Sequence, residues 1–276
     1  MRHSFAPGKI ILSGEYAVLF GYAGIAVPSP LGIQVEFDED AASDRIEIYW
    51  EGANNEWLTY AEKIVGKTDS KLRGHLTIHS NLQLGKGMGS STALLIVVTR
   101  ALLGENSRKE ALLIEDALNP GHSGFDFATI WEGVPILFRK GDTAKRIDIS
   151  AELLRGAMLI DTGLPSESTA ELVAWMRSRE KQIEEPLKTI GNCTERLVRG
   201  EPLDAVMRDH NRAQITLGVV PPDVEKLIAA IEQIGGAGKV IGAGSRTGGA
   251  GMVLALGNQE GIKNIAYRRD MPIMAL

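Results

Sequence analysis

Residues 85–92 read Gly-Lys-Gly-Met-Gly-Ser-Ser-Thr and run without a break into an apolar stretch, 90–103, whose first charge is Arg100. A helix that is apolar on every side must be buried. The chain therefore has to build layers around residues 90–103, with the alternating glycines turning the backbone into its amino end. Glycine lets successive N–H groups curl inward, and the helix terminus adds partial positive charge. Gly85, Lys86, Gly87, Met88, Gly89, Ser90, Ser91 and Thr92 thus suit a di- or triphosphate. The hydroxyls of Ser90 and Ser91 are placed to reach a phosphate oxygen or a magnesium ion. The Gly-x-x-x-x-Gly-Lys-Ser/Thr pattern of a P-loop is absent. The same residues also suit a plain strand-to-helix turn with serine caps.

Thirty-one of 276 residues are glycine, against roughly 7% in an average protein, and ten of them fall between Gly235 and Gly261. The surplus is clustered, so it points to particular loops and not to general flexibility. Apolar residues make up 44% and charged residues 24%, a globular mix. No aliphatic run approaches the ~20 residues of a bilayer span, so no membrane segment is expected. The net charge of −5 argues against a nucleic-acid binder. Met1-Arg-His-Ser-Phe leads into a Pro-Gly turn without a secretory apolar segment, and Cys193 has no second cysteine to pair with. A cytoplasmic location is expected.

Short apolar runs over 4–37, alternation over 45–50 and 74–81, and runs at 134–138, 157–161, 239–241 and 252–256 predict strands. Helices are expected over 60–66, 90–103, 109–118, 125–131, 167–185, 186–198, 203–215 and 221–234, with Ser166 or Ser168 capping the fifth. The class is α+β, with domains 1–150 and 151–276.

Three other stretches carry chemistry. In Ala6-Pro-Gly-Lys-Ile-Ile-Leu-Ser-Gly-Glu-Tyr16, Lys9 is either a fixed cation for a phosphate or reacting hydroxyl, or a solvated strand-end lysine. Glu115 and Asp126 bracket the turn His122-Ser123-Gly124. Two carboxylates near a phosphate loop suit a divalent metal plus a base or orienter, although each alone reads as a surface acid or helix cap. The loop 238–251 allows close backbone approach to a ligand, with Arg246 as a phosphate contact, or forms a long hairpin. The histidines are not spaced as a metal cluster.

In this order, residues 6–21, 85–92 and 238–256 resemble the three motifs of the GHMP small-molecule kinases, with Met88 for the usual Leu. His122-Ser-Gly-Phe-Asp126, Asp161-Thr-Gly-Leu-Pro165 and Leu217-Gly-Val-Val-Pro-Pro extend the similarity over nearly the whole chain. The resemblance implies a two-domain fold, ribosomal S5 domain 2-like first and ferredoxin-like second. It also implies ATP-dependent phosphorylation of a small acid's hydroxyl, with mevalonate the implied acceptor and phosphomevalonate its rival. By motif position, Asp126 and Lys9 are catalytic, residues 85–92 bind ATP, and Ser91 and Glu115 hold Mg2+. Glu15, Tyr16, Ser123, Thr169, Gly242 and Ala243 face the acceptor. A homodimer is the default oligomer. Three departures stand out: Tyr16 where His is usual after Gly-Glu, Asn119-Pro120 and His122 before the catalytic turn, and the extra Ser245-Arg246-Thr247.

Overall fold

The computed structural model describes residues 1–68, 71–149 and 151–276. The expected boundary near residue 150 lies outside the described residues. The chain forms two compact units, one of Met1–Lys9, Pro28–Leu84 and Gly89–Gly133, the other of Ile10–Val27, Gly85–Met88 and Val134–Leu276. Two long strands, β1 (Arg2–Ser13) and β2 (Ala23–Glu39), run through both.

In the first unit, the latter part of β2 pairs antiparallel with β4 (Gly74–Ser80), and β3 (Ile46–Trp50) pairs parallel with β4. Ile33, Val35 and Phe37 alternate inward, with Val35 opposite Ile78 and Phe37 opposite Leu76, as the two-residue period of a half-buried sheet requires. Helix α1 (Asn55–Lys67) begins earlier than expected because the Asn54 side chain accepts the Trp57 amide, an N-cap that extends the helix by a turn. Helix α2 (Ser90–Leu103) is buried along nearly its whole length and packs against α1, α3 (Arg108–Leu118) and α4 (Phe125–Glu132). Its buried residues fall on every side, as its composition demanded.

In the second unit, β5 (Ile136–Arg139) pairs with the first residues of β2, and β6 (Lys145–Arg146) with β5. Among the described residues the unit also holds a four-stranded antiparallel sheet and five α-helices. Its strands include β7 (Met158–Asp161), and its first helices are α5 (Thr169–Ser178), α6 (Glu184–Val198), α7 (Leu203–Leu217) and α8 (Pro222–Gln233). They are followed by β8 (Ala237–Val240), β9 (Met252–Leu256), α9 (Gln259–Tyr267) and β10 (Ile273–Ala275). The strand order is β10-β7-β9-β8. Met158, Ile160, Val253 and Ala255 meet Val224, Leu227 and Ile228 of α8 in one core, the apolar face of a sheet covered by a helix.

Two expectations are corrected. The stretch 167–185 is not one helix: α5 stops at Ser178, a 3-10 turn follows, and α6 begins at Glu184 with Pro186 in its first turn, where a proline costs no hydrogen bond. Ser168 is the cap, in a reciprocal box with Glu171. Helix α9 and strand β10 were not expected. The Asn258 side chain, which accepts the Gly261 amide, and the buried pair Ile262 and Ala266 were the signals for α9.

Candidate active site

The first unit brings Lys9, Asp126 and the end of the glycine loop together. Lys9 closes the first unit's part of β1 and is only 2% exposed, so it is not a solvated strand-end lysine. Its Nζ lies 3.4 Å from Oδ1 of Asp126, a carboxylate that stays 38% exposed. Asp126 stands in the first turn of α4, where the helix end favours its negative charge. The turn is set by Ser123, whose Oγ accepts the Phe125 amide, and by left-handed Gly124. Gly89, also left-handed, passes directly over the pair. A Cβ there would lie 2.9 Å from Ile130 Cδ1, 3.1 Å from Lys9 Cγ and 3.5 Å from Asp126 Oδ2. Gly89 brings no side chain to cap α2, so that helix presents its amino end beside the Lys9–Asp126 pair.

Glu115 lies close by on α3. The Thr92 hydroxyl donates to its Oε1 at 2.9 Å, while its Oε2 is buried without a hydrogen bond. Burial pushes this carboxyl above its ordinary range, and the Thr92 hydroxyl and His122 act against that shift. An unpartnered buried carboxylate oxygen beside first-turn hydroxyls fits a hard divalent cation. Among the described residues no group of three or more His, Cys, Asp or Glu gathers, so such an ion would complete its shell with water and phosphate oxygens, as Mg2+ usually does.

In the second unit, residues 85–88 lie on the late glycine loop. The Lys86 carbonyl accepts the Met252 amide, and its ammonium pairs with Asp161, which also accepts the Gly163 amide. Gly87 and Gly242 are both left-handed, and a Cβ on Gly242 would lie 2.8 Å from the Gly87 backbone. A Cβ on Gly251 would lie 2.6 Å from the Lys86 carbonyl oxygen. Part of the glycine surplus is therefore backbone stacked on backbone.

Of the residues expected at the acceptor, Glu15 is placed otherwise. It is 3% exposed, its Oε1 pairs with Lys239 and its Oε2 lies 2.9 Å from His210 Nε2. Burial opposes its charge, but Lys239 and His210 prevail and hold the carboxyl at about 2. Its carboxylate is thus spent inside the unit. Tyr16 donates its hydroxyl to the Ala243 carbonyl. Burial, with the charges of Glu15 and Glu167, drives that phenol well above its usual range, so it stays a neutral donor. Thr169 is exposed at the start of α5. The extra residues 245–247 are tied down. Ser245 is buried 2.5 Å from Glu167, the Arg246 amide donates to Glu167, and the Arg246 guanidinium lies 4.8 Å over the Trp175 ring.

No protein-family model matches the chain. Mevalonate kinase of Archaeoglobus fulgidus is 25% identical, over 85% of this chain and 86% of that protein, and mevalonate kinase of Thermococcus gammatolerans is 28% identical, over 86% and 84%. The solved Methanococcus jannaschii mevalonate kinase superposes with a TM-score of 0.82 at 20% identity, over 99% and 96% of the two chains. The chain has the GHMP kinase fold.

Within that GHMP kinase fold, Lys239 and His210 are the residues that sequence reasoning missed. The signal for Lys239 was one lysine inside the otherwise apolar strand Ala237–Val240, a position that requires a buried counter-charge. Nothing local marked His210, which sits on the buried face of α7.

Proposed function

We propose that the chain is a mevalonate kinase, transferring the γ-phosphoryl group of ATP to the 5-hydroxyl of (R)-mevalonate in isoprenoid precursor biosynthesis. The observation that carries this reading is Lys9 and Asp126 under Gly89, at the amino end of α2. Phosphoryl transfer needs positioning and charge neutralisation more than covalent help, and these residues supply both. Backbone N–H groups of 85–92 bind the phosphates. Asp126 accepts the hydrogen bond of the acceptor hydroxyl and orients it in line, taking its proton as the new O–P bond forms and the bond from the γ-phosphorus to the bridging oxygen breaks, with ADP leaving. Lys9 holds its positive charge against the oxygen that attacks. Glu115 and the Ser91 hydroxyl would hold Mg2+, which would supply charge neutralisation for the phosphates. In the second unit, Tyr16, Thr169, Gly242 and Ala243 are the residues proposed to face the acceptor.

Phosphomevalonate is the second reading, favoured by Tyr16 after Gly-Glu. A phosphorylated acceptor calls for free basic groups, and the two conspicuous additions are engaged. His122 lies 2.8 Å from Asp116, and Arg246 is held on Trp175 and Glu167. This supports the unphosphorylated acceptor. The test is ATP-coupled turnover on mevalonate, 5-phosphomevalonate, homoserine and galactose. Turnover of mevalonate foremost is expected, and preference for another acceptor overturns the reading.

A further inference from the structure

Three charged or ionisable side chains of the second unit, Glu15, Lys239 and His210, are buried together, at 3%, 0% and 0% exposure. Burying an ion pair is costly and often adds no stability over apolar residues of the same volume. Glu15 also immediately precedes a backbone outlier. Tyr16 has φ 61° and ψ −43° and centres a γ-turn in which the Ala17 amide donates to the Glu15 carbonyl, a rare and strained conformation for a bulky residue. Such strain persists only where the surroundings over-determine it.

The surroundings of Tyr16 do so from both sides. On one side Glu15 is fixed by Lys239, whose Nζ also donates to the Ile11 carbonyl at 3.0 Å, and by His210. On the other, the Tyr16 hydroxyl donates to the Ala243 carbonyl, in the late glycine loop 238–251. The backbone beside Lys239 is itself held, since the Gln214 amide donates to the Val240 carbonyl at 3.0 Å. One rigid path thus joins β1, α7, β8, the strained turn and the loop 242–244.

We infer that Glu15, Lys239 and His210 are positioning residues for the acceptor: the buried triad locks Tyr16 in its strained conformation and, through the Tyr16 hydroxyl, sets the loop at Ala243. The inference rests on the proposed acceptor role of Tyr16 and Ala243. It gives Glu15 a task that its burial permits, since its carboxylate is engaged by Lys239 and His210.

The test uses the full chain with Glu15→Gln/Lys239→Met, which removes both charges and leaves neither uncompensated, and Tyr16→Phe, which removes only the hydroxyl. The expected result for the folded double variant is a rise of about tenfold in the acceptor KM, the equivalent of ~1.4 kcal/mol of lost binding, with the ATP KM unchanged. Tyr16→Phe is expected to shift the same constant in the same direction. Hydrogen exchange of the unligated variants is expected to quicken at 14–17 and 242–244 together in the double variant, and at 242–244 in Tyr16→Phe. Unchanged acceptor KM and unchanged exchange in both variants overturn the inference, as does an equal rise in both KM values. If the double variant does not fold, Tyr16→Phe decides by the same readouts. If wild type turns over a different acceptor, the substrate reading falls and the comparison proceeds with that acceptor. If wild type turns over none, exchange decides.

Discussion

Lys9 Nζ lies 3.4 Å from Asp126 Oδ1, with the lysine buried and the carboxylate half open. The cation is therefore fixed and dehydrated, while the anion still faces a ligand. Asp126→Ala removes the group that orients the hydroxyl, and such groups typically contribute ~10²–10⁴ in rate. The expected result is a fall in kcat of at least about 100-fold with ATP affinity little changed, read by steady-state kinetics and by titration calorimetry. Near-normal kcat would remove Asp126 from the chemistry.

Gly89→Ala tests the close approach of the loop. A methyl group there meets Ile130, Lys9 and Asp126, and the backbone is held at φ 74°. Left-handed alanine costs about 1–2 kcal/mol, so thermal unfolding should shift down modestly. The kinetic effect should be larger, because displacement of a reacting pair by ~1 Å can cost ~10²-fold. An active variant with only the thermal shift would place the reacting groups elsewhere.

Much of this was legible in the chain. Residues 85–103 could hardly be anything but a glycine turn feeding a buried helix, because their composition leaves no exposed face. Lys9 and Asp126 were visible as chemistry, although their distance was not, since it depends on where β1 ends and α4 begins. The late glycine loop was harder. Its glycines looked like room for a ligand, yet Gly242 and Gly251 are pressed against Gly87 and Lys86, contacts between residues more than 150 positions apart. The surroundings of Glu15 were hidden for the same reason. Its partners His210 and Lys239 lie far along the chain, and no local pattern announces a buried ion pair.

Glu115 gives a metal prediction. Its buried Oε2 has no hydrogen bond, and its Oε1 is engaged by Thr92. Glu115→Gln keeps the shape and removes the charge. The Mg2+ concentration for half-maximal rate should rise by about tenfold, what ~1.4 kcal/mol of lost binding gives, while the far-ultraviolet spectrum is unchanged. Ser91→Ala should shift the same midpoint less, since a neutral hydroxyl is the weaker ligand. An unaltered Mg2+ dependence in both variants would assign the metal to other groups.

The buried triad predicts how stability depends on pH. Glu15 titrates at about 2 in the folded chain against an ordinary 4.5, so between those values the unfolded chain binds the extra proton. Its contribution is complete above 4.5 and is lost as pH falls toward 2, amounting to about 3 kcal/mol in full. His210 acts in the same direction: burial lowers it from 6.5 despite Glu15 beside it. Below about 6.5 the unfolded chain gains a proton that the folded chain refuses. Cys193, buried and raised to about 11, stays a neutral thiol and adds nothing in this window. Urea midpoints measured from pH 7 to pH 3 should therefore fall more steeply for wild type than for Glu15→Gln/Lys239→Met, which lacks the Glu15 titration. Parallel curves would mean that Glu15 is not held ionised by its partners.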